Sequence, residues 1–396
     1  MPRLKSLSVL LAGAAFFLFI CIAPPTRAYA QSETQAAPRL IPRTAEERKQ
    51  QYIVAHRILL SVRVFDASGN PSADLNQTDF TVLDNRQPRK LMRFQSILGA
   101  SAIAPVRIIF VLDAVNSTTR QLRDFEKEIE RHLLQQKERL SNPTSIGVFS
   151  GSSVEVDEPT LARNALLDGL RSIAPRLRSI GCLEDEQQGE TPPPSWLAGS
   201  GNVRGLAPEA LSCMNQRFIA SVSALYTLAS HQADVAGPLL VLWIGPGWPI
   251  LTNREFRSDT PDLKQNFFGQ LVGVSTALRE GQITLDALAS PNFSPDPASP
   301  DTRNDAFYAG VSDENSARAG NLGLHALAYQ TGGRILKTSR DIPAQIRSCI
   351  ADAASYYLLA FDSPPASKYG EYHALEVKID RPGWTVRTNT LYYAEQ

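Results

Sequence analysis

Histidine is the side chain best suited to proton transfer near neutral pH, and this chain contains five: His56, His132, His231, His325 and His373. No two of them have the H-E-x-x-H spacing that places two zinc ligands on one helix face, and the cysteines lack zinc-ligand spacing. The sequence also lacks a G-x-S-x-G nucleophile elbow and a G-x-x-x-x-G-K phosphate-binding loop. A catalytic triad assembled from distant residues is the enzymatic alternative that stays open.

Cysteine is the second source of chemistry. Cys182 and Cys213 bracket a segment rich in Pro, Gly and Ser, and in an exported chain we expect these two thiols to form a disulfide. Closing a loop of that length stabilises a fold by about 3–4 kcal/mol. Cys349 lies in a helical pattern and is expected to be a buried free thiol. The odd number of cysteines after the first thirty residues leaves other pairings open.

The first thirty residues predict an export signal. Arg3 and Lys5 precede an apolar run over 7–22, and Ala28-Tyr29-Ala30 provides a small-x-small cleavage site. We therefore expect a signal peptide over 1–30 and a secreted or periplasmic mature chain. An uncleaved membrane anchor is the alternative, although the apolar run is short for a membrane span.

The charge balance bears on the class of partner. Lys plus Arg and Asp plus Glu each number 40 among the 396 residues. Nucleic acids and anionic membrane surfaces bind proteins that present an excess of basic residues. The balance therefore argues against a nucleic-acid partner, and it leaves membrane contact to an uncleaved signal segment.

The elements that must position any site begin after a polar linker over residues 31–51. Residues 52–98 contain three short runs with strand character, and the alternation of Leu60, Val62 and Val64 gives one of them an apolar face. These runs predict a small antiparallel β unit. Such a unit needs a partner surface to be stable.

The pattern changes at an almost unbroken apolar run over 106–112, which ends at Asp113 and is typical of a strand buried on both faces. Strand and helix patterns then alternate, which predicts an α/β domain over 104–354 with a doubly wound, mostly parallel sheet. Two long connections, 174–215 and 289–317, are expected to be loop insertions. Besides the helix after Asp113, apolar stripes predict helices over 160–173, 217–230, 261–280, 318–330 and 342–353.

Residues 355–396 return to strand patterns, and the turn sequence over 380–383 predicts a hairpin between the last two strands. We expect these strands to pack with residues 52–98 in a smaller antiparallel β domain, because neither group alone buries enough apolar surface. The three predicted strands are Tyr356–Phe361, His373–Ile379 and Trp384–Tyr393.

Aromatic residues stand in or beside the long connections. Trp196, Trp248 and Phe307 are the candidates for binding a partner, because exposed aromatic side chains often anchor interfaces. The alternative is that each ring folds inward and fixes its own loop. The sequence does not decide between the two.

Four segments carry a resemblance to a known family: Asp79-Phe80-Thr81-Val82, the run from Ile109 to Ser117, the run from Leu327 to Arg334, and the run from Tyr356 to Phe361. Their order and spacing, over about 52–393, resemble the VWFA-related domain family of the acidobacterial type, whose domains are von Willebrand factor A-like (VWA-like). The resemblance implies a VWA-like α/β fold. It implies less about function, since the roles of the members are mostly unassigned.

Metal-binding VWA domains hold Mg²⁺ or a similar hard cation through Asp-x-Ser-x-Ser, a Thr from a second loop and an Asp from a third, because such ions prefer oxygen ligands. By this resemblance Asp113 and Ser117 are the metal candidates. Val115 replaces the first Ser, Ile244-Gly245 stands where Asp-Gly is expected, and Thr191 is the sole candidate in the second loop. We therefore expect no cofactor, neither Mg²⁺ nor Ca²⁺, and interpret Asp113 and Ser117 as helix caps.

These features favour an exported VWA-like protein-interaction module with a degenerate metal site, which binds a protein of the envelope or the extracellular space. We do not expect an enzyme. The alternatives are a secreted hydrolase with catalytic residues scattered over the loop edge, and a structural component of an envelope assembly. A partner captured through loop residues would favour the first, and turnover of a substrate library would favour the hydrolase.

Overall fold

A computed structural model provides the fold, and its described residues all belong to one compact unit, Lys49–Gln396. The described residues are 56–72, 74–98, 105–179, 208–233, 235, 237–249, 260–288, 308, 310–336, 339 and 341–394.

Strands occupy both ends of the described chain, and helices alternate with strands between them. The strands are β1 (Arg57–Phe65), β2 (Phe80–Asp84), β3 (Gln87–Arg89), β4 (Arg93–Leu98), β5 (Arg107–Asp113), β6 (Arg139–Ser150), β7 (Ser153–Val156), β8 (Thr160–Ala162), β9 (Leu239–Ile244), β10 (Ile283–Leu288), β11 (Ile335–Leu336), β12 (Ser355–Asp362), β13 (Glu371–Ile379), β14 (Thr385–Arg387) and β15 (Leu391–Ala394). The helices are α1 (Thr119–Leu134), α2 (Arg163–Ile173), α3 (Pro208–Ala233), α4 (Pro261–Glu280), α5 (Leu324–Gln330) and α6 (Ile342–Ala353).

The central sheet has the order β11-β10-β9-β5-β6-β7, with β8 also paired to β6. Strands β5, β6, β9, β10 and β11 are parallel, whereas β7 and β8 run antiparallel to β6. The predicted mixed α/β class with a mostly parallel sheet is confirmed. Because β5 lies inside the sheet and later strands are added on both of its sides, the winding reverses between β5 and β9, where ligand crevices form in open α/β sheets.

Helices cover both faces of this sheet, which explains the continuous apolar strands. All six residues of β9 are buried, and its side chains alternate between the faces. Leu240 and Leu242 share one core with α1, α2 and α6. Val241 and Trp243 share the other core with α3, α4 and α5.

The two ends of the chain pair with one another in two smaller sheets, β14-β1-β12-β4 and β15-β13-β2-β3. Strand β12 lies between β1 and β4, and β13 lies between β15 and β2. Residues 52–98 therefore do not form the single three-stranded unit that the sequence predicted. The apolar faces of both sheets meet in one core instead, where the rings of Phe80 and Tyr357 lie 4.8 Å apart.

Strand β12 joins this sandwich to the α/β layers. Tyr357 and Leu359 belong to the sandwich core, whereas Tyr356 and Leu358 pack with the α/β core. The period-2 alternation of one strand thus contributes to two different cores.

The predicted strand over 384–393 is two strands. After the turn at Gly383, which has a φ of +79° that suits glycine, β14 pairs with β1 in the first sheet. The chain then crosses to the second sheet, where β15 pairs with β13. The sequence identified the turn correctly, but the strand that follows it crosses to another sheet and does not complete a hairpin.

Three helices also differ from the predicted ones. The helix predicted over 318–330 is shorter, because Gly323 separates α5 from a 3-10 helix over Ala319–Leu322. The helix predicted over 217–230 is part of the longer α3, because Met214 is buried and extends the apolar stripe toward the amino end. The segment predicted as a helix from Thr160 begins with β8, which pairs with β6, and α2 starts at Arg163.

Candidate functional site

Asp113 is the last residue of β5 and lies at the carboxyl edge of the sheet, beside the point where the winding reverses. Its side chain is fully buried. A buried carboxylate needs hydrogen-bond donors or a counter-ion to offset the loss of water. Its partners therefore define what this edge can do.

Three donors from two side chains and one amide serve the Asp113 carboxylate. The indole Nε1 of Trp243, on the neighbouring strand β9, donates to Oδ2 at 2.8 Å. The backbone N–H of Asn116 donates to Oδ1 at 2.8 Å. The Asn116 side-chain Nδ2 lies 3.1 Å from Oδ1 and 2.9 Å from Oδ2.

Helix α3 completes the cluster from the other side of Asn116. Arg217 donates from Nε to Asn116 Oδ1 at 3.2 Å and from Nη2 to the Asn116 carbonyl at 3.3 Å. Asn116 Nδ2 also donates to Ser221 Oγ at 2.9 Å, and that hydroxyl donates to the Arg217 carbonyl at 2.7 Å. We call Asp113, Asn116, Arg217, Ser221 and Trp243 the Asp113 network. All five are buried.

The electrostatics of the Asp113 network are set by burial. Burial raises the pKa of the Asp113 carboxyl above its ordinary value, while the hydrogen bonds from Trp243 and Asn116 and the charge of Arg217 act to lower it. Arg217 acts through Asn116 and at a distance, so its lowering effect does not cancel the effect of burial on the Asp113 pKa.

The end of β9 closes over this cluster. A Cβ atom at Gly245 would lie 2.8 Å from the Cβ of Asp113, so only glycine fits this close approach. The rings of Trp248 and Trp243 lie 5.3 Å apart, and Trp248 is only 5% exposed. Of the two alternatives that the sequence left open for Trp248, the structure shows the inward one: the ring packs against Trp243 and is not an exposed binding aromatic.

The interpretation of Asp113 and Ser117 as helix caps needs correction. Thr118 is the N-cap of α1: its side chain accepts from the Gln121 backbone N–H at 3.2 Å, and Gln121 reciprocates at the Thr118 N–H. The Asp113 carboxylate accepts from the backbone N–H of Asn116, which lies just before the helix. Ser117 is fully buried, and its Oγ has no hydrogen-bond partner within the described part of the chain.

The fold places Ser179 beside this turn, a residue that the sequence did not single out. Its backbone N–H donates to Thr119 Oγ1 at 2.9 Å, and the residue is fully buried. Thr191, the second-loop candidate, lies outside the described residues.

The residues present do not fit a hard cation. The Asp113 oxygens already accept from Trp243 and Asn116, and the guanidinium of Arg217 binds the other end of that amide. A cation at Asp113 would have to displace these donors and lie near a fixed positive charge. Among the described residues, no group of three or more His, Cys, Asp or Glu side chains could hold a metal ion.

The structure describes only some of the remaining predicted site residues. Cys349 is a buried free thiol, as predicted. Cys213 is buried on α3, but Cys182 lies outside the described residues, so the disulfide between them stays a prediction. Trp196 and Phe307 also lie outside the described residues.

A second buried carboxylate, in the β sandwich, binds one of the histidines. His373 Nδ1 lies 2.6 Å from Asp84 Oδ1, and Arg89 and Tyr392 donate to Asp84 Oδ2 at 2.9 and 3.1 Å. We call these four residues the Asp84 network. Burial alone would raise the Asp84 pKa, but the hydrogen bond with His373 and the charges of His373 and Arg89 outweigh it, so the pKa lies below its ordinary value.

His132 behaves as a core residue. It is buried on α1, and burial lowers the pKa of its imidazole to about 4. The ring lies 6.0 Å from the ring of Phe110. His132 is therefore neutral at neutral pH and packs in the core.

Sequence reasoning missed Asn116, Arg217, Ser221 and Trp243 as members of the site. Two signals were present: an arginine inside the apolar stripe of a helix, and an indole in a strand buried on both faces. Each brings a donor that must be satisfied inside the protein.

No helix of the described chain is both long enough and apolar enough to cross a membrane. No protein-family model matches the chain, and no curated protein matches it.

Two solved structures are similar to this chain at a low level. The human COPII-coat protein Sec24c has a TM-score of 0.33 and 11% identity, over 74% of this chain and 44% of that chain. Proximal thread matrix protein 1 from the mussel byssus has a TM-score of 0.33 and 10% identity, over 68% of this chain and 51% of that chain. This chain thus spans about half the length of each.

Proposed function

We propose that this chain is an exported, VWA-like protein-interaction module that binds a partner protein at the carboxyl edge of its central sheet, without a metal ion. The observation that carries the proposal is the filled crevice: Asp113, Trp243 and Trp248 close the point where the winding reverses. Small-molecule and catalytic sites are concave. The described residues at this edge leave it filled and not concave, which is better suited to contact with the surface of another protein.

The end of β5 supports the VWA-like part of the proposal. By the resemblance, a VWA domain begins with a strand that ends in Asp and is followed by a Ser. Here these residues are Asp113, at the end of β5, and Ser117, two residues before the start of α1. The sequence of residues 1–30 supports export.

Helix α3 offers a contact surface next to the filled crevice. Its inner face carries Arg217, while Ile219 and Tyr226 are 57% and 46% exposed on the outside, two turns apart. Exposed tyrosine and large apolar side chains are common anchors of protein interfaces. We therefore assign the outer face of α3 to the interface.

Site-specific photo-crosslinking in cells that export the full chain tests this assignment. A photo-crosslinking amino acid replaces Gln216 or Tyr226, both exposed on α3. The control position is Tyr369, which is 63% exposed in the connection before β13. We expect one protein adduct, shared by both α3 positions and missing at Tyr369. Equal adducts at all three positions, or none at α3, would contradict the proposal.

A secreted hydrolase is the second candidate, and one observation favours it. His373 Nδ1 lies 2.6 Å from Asp84, which is how a carboxylate orients a general-base histidine. The pair lies in the β sandwich, away from the loop edge where the sequence placed this alternative, and His373 is only 3% exposed. The test is turnover of ester, glycoside and peptide libraries by the wild-type chain and by His373→Gln. Turnover that the substitution abolishes, in a variant that still folds, would favour the hydrolase.

A further inference from the structure

The Asp113 network contains a buried cation as well as a buried anion. Arg217 is only 4% exposed, and its guanidinium is one amide group away from the Asp113 carboxylate. The charge of a buried carboxylate must be offset, since an isolated buried ion costs several kcal/mol even after relaxation.

We propose that Arg217 supplies, from within the chain, the positive charge that a hard cation supplies in metal-binding VWA domains. Asn116 is the relay between Arg217 and Asp113, because its amide is hydrogen-bonded to Arg217 on one side and to Asp113 on the other. The edge of the sheet is then held together by the protein alone. The inference shares one thing with the proposed function, the carboxyl edge of the central sheet. It does not depend on a partner being found.

The geometry of Asn116 supports the relay. Its side-chain oxygen and its carbonyl both accept from Arg217, at 3.2 and 3.3 Å. Its side-chain nitrogen donates to the Asp113 carboxylate at 2.9 Å. The amide dipole is therefore aligned with its negative end toward the guanidinium and its positive end toward the carboxylate, and each bond strengthens the other.

Arginine is required for this arrangement because two donors of one planar fork, Nε and Nη2, reach two acceptors on one residue. A lysine would bring the charge but not the fork. The relay also fixes three elements to one another, since Asn116 follows β5, Arg217 lies on α3 and Trp243 lies on β9. Arg217 is a positioning residue in this scheme.

A double-mutant cycle on the full chain tests the coupling. The variants are Asp113→Asn, Arg217→Met and the double variant, and urea denaturation gives the folding equilibrium constant of each. We expect each single variant to lower the constant at least about fivefold, and the double variant to lose less than the product of the two by up to about tenfold. Strictly additive effects would overturn the proposal.

The pH profile separates a charge role from a merely structural one. In Arg217→Met the Asp113 carboxylate must ionise without its counter-charge, so the loss in the folding equilibrium constant should grow as the pH rises above the unfolded Asp pKa of about 3.9, by at most about tenfold per pH unit. The double variant should lose this dependence. The control is Arg107→Met at the opposite end of β5, where the arginine binds the neutral Gln232; its effect should not change with pH. A flat profile for Arg217→Met would overturn the charge role.

Where Arg217→Met fails to fold, the wild-type chain still decides. Mn²⁺ is titrated into the chain and followed by electron paramagnetic resonance, and the melting temperature is measured with Mg²⁺ and with a chelator. We expect no Mn²⁺ uptake and no chelator-reversible shift. A stoichiometric Mn²⁺ site that Asp113→Asn abolishes would show that a metal, and not Arg217, provides the charge.

Discussion

Two fully buried aspartates solve the same problem in different ways, one in each part of the molecule. Asp84, in the β sandwich, touches its cation directly, because Arg89 Nη2 lies 2.8 Å from its carboxylate and His373 lies 2.6 Å away. Asp113, in the α/β part, touches neutral donors, and its cation Arg217 lies beyond Asn116. The pKa of Asp84 is lowered and the pKa of Asp113 is raised.

The difference shows what decides the charge state of a buried carboxylate. Both side chains are completely removed from water, so burial penalises ionisation in both. Direct contact with a guanidinium and an imidazole overcomes that penalty at Asp84. Neutral donors and a cation one amide away do not overcome it at Asp113. The Asp84 network should therefore be a strong clamp that holds β2 and β13 together. The Asp113 network should contribute less to stability.

The largest effect is expected from Asp84→Ala. The substitution leaves His373, Arg89 and Tyr392 without their shared acceptor, and breaking a buried ion pair by removing one partner costs about 3–5 kcal/mol. Urea denaturation measures the loss. The control is Asp168→Ala, whose side chain is 78% exposed; it should change stability by less than about 0.5 kcal/mol. Equal losses of stability in Asp84→Ala and Asp168→Ala would show that the contacts of Asp84 do not stabilise the fold.

Asp113→Asn should cost less, about 1–3 kcal/mol. The oxygen of the new amide can still accept from Trp243 and the Asn116 side chain at the position of Oδ2, but the NH₂ group at the position of Oδ1 cannot accept from the Asn116 backbone N–H. Burial already disfavours the ionised form of Asp113. Removing the carboxylate therefore offsets part of the loss of stability. A loss larger than that of Asp84→Ala in the same assay would reverse the comparison.

The pH dependence of the two losses should have opposite signs. A lowered pKa means that Asp84 adds stability above the unfolded pKa of about 3.9, and this contribution disappears as the pH falls. A raised pKa means the opposite for Asp113. Its contribution to the free energy of unfolding is complete below about pH 3.9 and is lost as the pH rises. The loss in Asp84→Asn should therefore grow as the pH rises to about 3.9 and stay constant above it, whereas the loss in Asp113→Asn should shrink as the pH rises above about 3.9, each by at most about 1.4 kcal/mol per unit. Denaturation curves at several pH values measure both, and slopes of equal sign would contradict the pKa assignments.

The sequence predicted the strand that ends at Asp113 because an apolar run with one terminal acid has few other interpretations. It did not predict the network, since Arg217 and Trp243 lie 101 and 130 residues away from the residues they bind. Periodicity reports which face of an element is buried, and it does not report which partner covers that face. The same limit explains the sandwich, where alternation identified the apolar side of β1 but not its pairing with β12.

The smallest effect is expected from Tyr392→Phe, which tests whether the Asp84 clamp depends on charge or on the number of donors. The hydroxyl donates to Asp84 at 3.1 Å, and the ring, which stacks on His373 at 4.6 Å, is retained in phenylalanine. Asp84 keeps its contacts with Arg89 and His373, so the loss should be about 1 kcal/mol, the net value of one hydrogen bond. The matched substitution is Trp243→Phe, which removes a donor from Asp113 and leaves it with Asn116 alone. That variant should lose more stability in urea, also because the smaller ring leaves a cavity. A loss in Tyr392→Phe as large as in Asp84→Ala would mean that donor number, and not contact with a cation, stabilises the buried charge.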